Sequence, residues 1–173
     1  VYDESDIGKT YTYTVKEQAG NVYGMTYDDT IHTVTVKVSD AGNGTLKVEA
    51  SKNADALNFT NTYLAEGSVL FSGTKTMNGK ALEGKDFTFV LTDADGKEIE
   101  TVTNDKDGKI VFSTIQYKLE DAGKTFTYKV SEKNDGKKSV TYDDTVYTVN
   151  VTVADNGDGT LSVTADPAGI SAD

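Results

Sequence analysis

The chain has 173 residues, with 17 Lys plus Arg against 28 Asp plus Glu, a formal net charge of −11. That balance argues against nucleic acid or an anionic membrane as partner, because a phosphate binder carries a basic stripe. The absence of cysteine excludes a disulfide framework, a thiolate nucleophile and a cysteine-type zinc site, and the single histidine, His32, excludes a multi-histidine metal centre and leaves little basis for a Ser-His-Asp triad.

No run of 18 apolar residues is present, so no helix-type membrane span is expected. Leu, Ile, Val and Phe make up 38 residues, 18 of them Val, alongside 25 Thr and 10 Tyr. These β-branched and aromatic types suit a pleated, half-buried surface, and the cores they build are thin. Period-2 alternation follows in chain order at residues 11–15, 33–38, 45–50, 87–91, 125–130, 147–153 and 161–164. Between the runs lie Asn43-Gly44, Asn78-Gly79, Asp95-Gly96, Asp107-Gly108 and Asp158-Gly159, which read as type I′ hairpin turns. No stretch shows a helical period. The expected fold is all-β, in tandem Ig-like β-sandwich domains.

An internal repeat organises the chain. Gly8-Lys-Thr-Tyr-Thr-Tyr-Thr-Val-Lys-Glu17 matches Gly123-Lys-Thr-Phe-Thr-Tyr-Lys-Val-Ser-Glu132, and Thr26-Tyr-Asp-Asp-Thr30 matches Thr141-Tyr-Asp-Asp-Thr145. The offset is constant, 123 − 8 = 115 residues, a normal sandwich size. The sequence is out of phase with this unit. Residues 1–66 read as the C-terminal part of a first sandwich, and residues 67–173 as a second one lacking its last strand. The join, Tyr63-Leu-Ala-Glu-Gly67, is short.

Taken singly, Lys75, Glu17, Glu132 and Asn61 read as solvent-facing strand residues. Their context says more. Gly73-Thr-Lys75-Thr-Met-Asn-Gly-Lys80 followed by residues 87–91, then Tyr128-Lys-Val-Ser-Glu132 with Val140-Thr-Tyr-Asp-Asp-Thr145, and finally Asn58-Phe-Thr-Asn61-Thr-Tyr63, resemble the first, middle and closing strands of Gram-positive major-pilin isopeptide-linkage domains, relatives of the B-type repeats of collagen adhesins. The resemblance covers essentially the whole chain.

It implies that a first-strand lysine and a last-strand asparagine join as an amide with the help of a central acid. Lys75 would be the nucleophile, Asn61 the electrophile, and Glu17 and Glu132 the acids. Burial explains the residue types. An apolar core favours a neutral amine and a neutral carboxylic acid, which can then shuttle protons while ammonia leaves. Fixed geometry compensates for a poor electrophile, with effective molarities of ~10⁵–10⁸ M. Lys80 and Lys85 compete with Lys75; Asn58 and Asn53 compete with Asn61. By the repeat, the second unit's asparagine falls at 61 + 115 = 176 and the first unit's lysine at 75 − 115 = −40, so neither unit holds a full set. Either the chain is cut from a longer array, the favoured expectation, or strands are exchanged between copies.

Other signals are weaker. Asp155-Asn-Gly-Asp-Gly159 and Asp93-Ala-Asp-Gly96 lack the downstream glutamate of an EF-hand and read as hairpins. The Tyr-Asp-Asp repeats read as turns with a packed tyrosine. His32 aligns with Tyr147 and reads as a strand residue. The resulting expectation is an extracellular structural protein, not an enzyme, with no cofactor or metal: a shaft domain of a cell-wall-anchored Gram-positive pilus or adhesin. Its partners would be neighbouring copies or domains of the same surface protein. The alternative is an adhesin module binding a host protein or glycan, with Tyr23 as a contact.

Overall fold

The computed structural model describes residues 1–51, 56–168 and 170–172. The chain divides into two compact units, Val1–Tyr63 and Leu64–Asp173. Both are built from strands, and the helical content among the described residues is confined to short 3₁₀ turns such as Glu4–Asp6 and Leu119–Asp121, which sit 115 residues apart.

In the first unit, β1 (Thr10–Lys16), β3 (Ile31–Asp40) and β4 (Leu46–Ala50) form an antiparallel sheet in the order β1-β3-β4. The short β2 (Met25–Thr26) pairs with β5 (Thr62–Tyr63). Alternation along β3 turns Val34 and Val38 to one face, where both are buried.

The second unit is a sandwich. One layer has the order β14-β13-β12-β8-β9: β8 (Thr88–Asp93), β9 (Glu98–Thr103), β12 (Thr125–Lys133), β13 (Val146–Asp155) and β14 (Leu161–Asp166), all antiparallel. The other strands form two small sheets. β7 (Ser72–Lys75) lies between β10 (Lys109–Val111) and β15 (Ile170–Ala172), and β6 (Glu66–Val69) pairs with β11 (Ile115–Lys118). Inward residues of the large sheet (Phe89, Leu91, Tyr128, Val130, Val149, Val151) are buried, as are Phe71, Ile110 and Phe112. Each such side chain contributes about 1.5–3 kcal/mol. Gly67 permits a close approach of strands, since a Cβ there would lie 2.8 Å from the Leu161 carbonyl oxygen and Cβ. β15 runs parallel to β7, with Ala172 opposite Lys75.

The repeat makes the two units comparable residue by residue. Tyr2 and Tyr13 share a 2.7 Å hydroxyl contact, and so do their counterparts Tyr117 and Tyr128. Yet Tyr13 is 46% exposed and Tyr128 7%. Phe71 packs on Tyr128, with ring centres 5.2 Å apart.

The hairpins differ from expectation. A type I′ turn needs positive φ at two central residues. Here Gly44, Gly96, Gly108 and Gly159 have φ near 75–83°, while the only non-glycine residues with positive φ among those described are Lys85 and Ser139. The 41–45 and 156–160 loops each carry two left-handed glycines, Gly42 with Gly44 and Gly157 with Gly159, whereas the turns at Asp93 and Asp105, where the Gly96 and Gly108 N–H groups donate to the Asp93 and Asp105 carbonyls at 3.1 Å, are type I followed by a left-handed glycine. Aspartate organises them: Asp93 Oδ1 accepts the N–H groups of Asp95 and Lys97, and Asp105 Oδ1 those of Asp107 and Lys109.

Candidate functional site

Lys75 closes β7 and is 5% exposed, the one buried lysine among the described residues. Its Nζ donates to Glu132 Oε2 at 3.1 Å, with the two side chains 4% and 1% exposed. Glu132 lies on β12, opposite Phe89 of β8, so the central strand of the large sheet delivers the acid across the core to the first strand of the other layer. The Lys75 ammonium also lies 5.0 Å from the centre of the Phe87 ring, a cation–π contact. The Lys75 main-chain N–H donates to the Gly108 carbonyl at 2.7 Å. Gly108, with φ of 79°, presses so close that any Cβ would fall on the Lys75 carbonyl oxygen. Glu132 Oε2 accepts a second bond, from the Asp143 N–H at 3.2 Å, whereas Oε1 is buried with no hydrogen-bond partner.

The first unit holds a matching constellation. Glu17 follows β1, and Asn61 precedes β5. Asn61 Nδ2 donates to Glu17 Oε1 at 2.8 Å, and Asn61 Oδ1 accepts the Asp28 N–H at 2.9 Å. Glu17 is half-buried; its Oε2 is a buried atom with no hydrogen-bond partner. The Asp28 carboxylate accepts from the Thr30 N–H (2.8 Å) and the Thr60 N–H (2.7 Å). The Thr30 hydroxyl first, then the Thr60 amide, hold its pKa down at about 2. His32 accepts an edge-on contact from Phe59 at 4.9 Å between ring centres and lies 3.0 Å from the Asn58 carbonyl, which packs it beside the asparagine-bearing segment.

The competing residues are placed differently. Lys80 is exposed and pairs with Glu83 at 3.5 Å, and Lys85 is exposed. Asn58 is exposed, and Asn53 lies outside the described residues. The Asp155 and Asp158 carboxylates accept from Gly157 and Thr160 N–H groups within their hairpin. Sequence reasoning missed Phe87, Gly108 and the pair Asp28 and Asp143. The recurrence of Thr-Tyr-Asp-Asp-Thr is the available signal for the last two.

A family model described as the Spy0128-like isopeptide containing domain (FctA) matches residues 2–64 and again residues 71–171. The chain belongs to this family. The Spy0128-like domains are pilin-type structural domains of Gram-positive surface pili, which agrees with the all-β sandwich and gives other pilin subunits as associates. No curated protein matches the chain. No helix among the described residues is long and apolar enough to cross a membrane.

Proposed function

We propose that the chain is part of a cell-wall-anchored pilus shaft whose sandwiches are closed by self-formed Lys–Asn amide bonds. The observation that carries this reading is the buried 3.1 Å contact between Lys75 and Glu132. Moving one proton across it gives a neutral amine and a neutral carboxylic acid, the two species the reaction needs, in a site with little water to favour the charged forms. The amine nitrogen attacks the asparagine Cγ, forming the new C–N bond. Glu132, as the neutral acid, gives its proton to the departing amide nitrogen and takes one back from the attacking nitrogen, so it ends as it began. The old C–N bond breaks and ammonia leaves. No oxidant or cofactor enters, and the protein turns over once.

In this chain the second unit supplies lysine and acid, and the first supplies acid and asparagine. An amide closing a ~100-residue loop is worth about 4–5 kcal/mol by the chain-entropy model. Joining the first strand to the parallel closing strand also lets tension pass without loading the sheets between.

The test completes the second unit. Appending Phe-Thr-Asn-Thr-Tyr, the repeat equivalent of residues 59–63, after Asp173 places an asparagine at the position expected from the 115-residue offset. The intact mass should then fall by one ammonia, and Lys75→Ala or Glu132→Ala should abolish the loss. An extended chain that folds and keeps its full mass would overturn the proposal.

A further inference from the structure

We infer that the Asp28 main-chain N–H, and that of its repeat counterpart Asp143, is the oxyanion donor of the amide-forming reaction, with the aspartate carboxylate as a positioning group. This rests on the self-linking chemistry proposed above. In the first unit the Asp28 N–H already points at the atom that gains negative charge when an amine attacks, Asn61 Oδ1, at 2.9 Å. On the other side of the same carboxamide, Nδ2 is held by Glu17 Oε1 at 2.8 Å. The carbonyl is thus polarised by one group and the leaving nitrogen engaged by another, a division of labour that a single acid would not achieve.

The Asp28 side chain fixes this arrangement. Its Oδ2 accepts the N–H of Thr60, the residue before Asn61, at 2.7 Å, and its Oδ1 accepts the Thr30 N–H at 2.8 Å. One residue therefore grips the asparagine segment through its main chain and its side chain at once. In the second unit, whose asparagine is not in the sequence, the equivalent Asp143 N–H donates instead to Glu132 Oε2 at 3.2 Å. The Asp143 carboxylate keeps the Thr145 N–H on Oδ1 at 2.9 Å, and takes the Tyr147 hydroxyl on Oδ2 at 3.2 Å. The turn is formed the same way in both units, and its free donor turns to whichever acceptor is present.

Two measurements test it. In the 173-residue chain the Asp28 amide should exchange slowly with solvent and lose that protection in Asn61→Ala, while the Thr30 amide keeps its own; unchanged exchange at Asp28 would overturn the contact. In the extended chain described above, Asp143 is replaced by its α-hydroxy acid analogue, which turns the N–H into an ester oxygen and keeps the side chain. The rate of ammonia loss should fall by ~10²–10³-fold, the usual cost of one oxyanion donor, with little change in thermal midpoint. An ester variant reacting as fast as its parent would overturn this assignment and leave the linkage itself standing. A parent that never loses ammonia would overturn both.

Discussion

Lys75 Nζ and Glu132 Oε2 are 3.1 Å apart inside the second sandwich, and nine-tenths or more of each side chain is withdrawn from water. Such a pair is costly to desolvate and costly to break singly, since a lone charge then stays in the core.

Glu132→Ala or Lys75→Ala alone should lower the stability of the second unit by about 3–5 kcal/mol. The double variant Lys75→Met with Glu132→Leu should be far milder, because apolar groups of similar volume leave nothing unpaired. Amide exchange on β12 reads the second unit by itself. Equal losses for the single and double variants would show that the two groups do not act as a pair.

Gly108→Ala should be worse than Gly96→Ala. Both glycines have left-handed φ, 79° and 83°, so both substitutions meet the same backbone penalty of about 1–2 kcal/mol. An added Cβ has open space at Gly96 but meets the Lys75 carbonyl at Gly108. The difference between the two losses, read by denaturant unfolding, reports the contact that seats Lys75. Equal losses would mean that β7 moves aside freely.

Acid should loosen the grip on the asparagine segment. The folded-state pKa of Asp28 lies at about 2, below the ordinary 3.8, through the Thr30 hydroxyl and then the Thr60 N–H. A carboxylate depressed in this way contributes stability that is present above its unfolded pKa and is lost as pH falls through the folded value. The Thr60 amide should therefore keep its protection at pH 4 and lose it on approach to pH 2. Titration of Asp28 near 3.8 by carbon-detected NMR would contradict this.

Alkali should act on the second unit through Tyr117. Burial first, and then the bond to Tyr128, push its phenol well above the usual 10. The stabilisation is fully present below the unfolded pKa and is lost as pH rises towards the folded one. Its phenolate absorbance should appear only together with unfolding of the second unit. Tyr2, the half-buried counterpart, is pushed only to about 12, by the Tyr13 hydroxyl first, and should ionise without unfolding.

The local pattern of this fold was legible in the chain. Alternation of Val, Thr and Tyr marked β1, β3, β4, β8, β12, β13 and β14, because a strand's two-residue period depends only on its own side chains. β9 escaped notice, since Glu98, Glu100 and Thr103 interrupt its apolar content at the edge of the sheet. The glycines of the turns were legible as well, but the turn type was not: at Asp93 and Asp105 the carboxylates cap nearby N–H groups and the turn is type I.

The 115-residue repeat and the order of Lys75, Glu132 and Asn61 were also present in one dimension. What no alternation could supply is which lysine is buried, because Lys75, Lys80 and Lys85 look alike until β7 is clasped between β10 and β15. Nor could it supply the parallel pairing of residues nearly a hundred positions apart, or the aim of the Asp28 N–H at Asn61. Tyr128 is enclosed because Phe71, from the other layer, packs on it with ring centres 5.2 Å apart. Burial belongs to what packs from the opposite layer, so it is decided by tertiary structure and not by the strand that carries the residue.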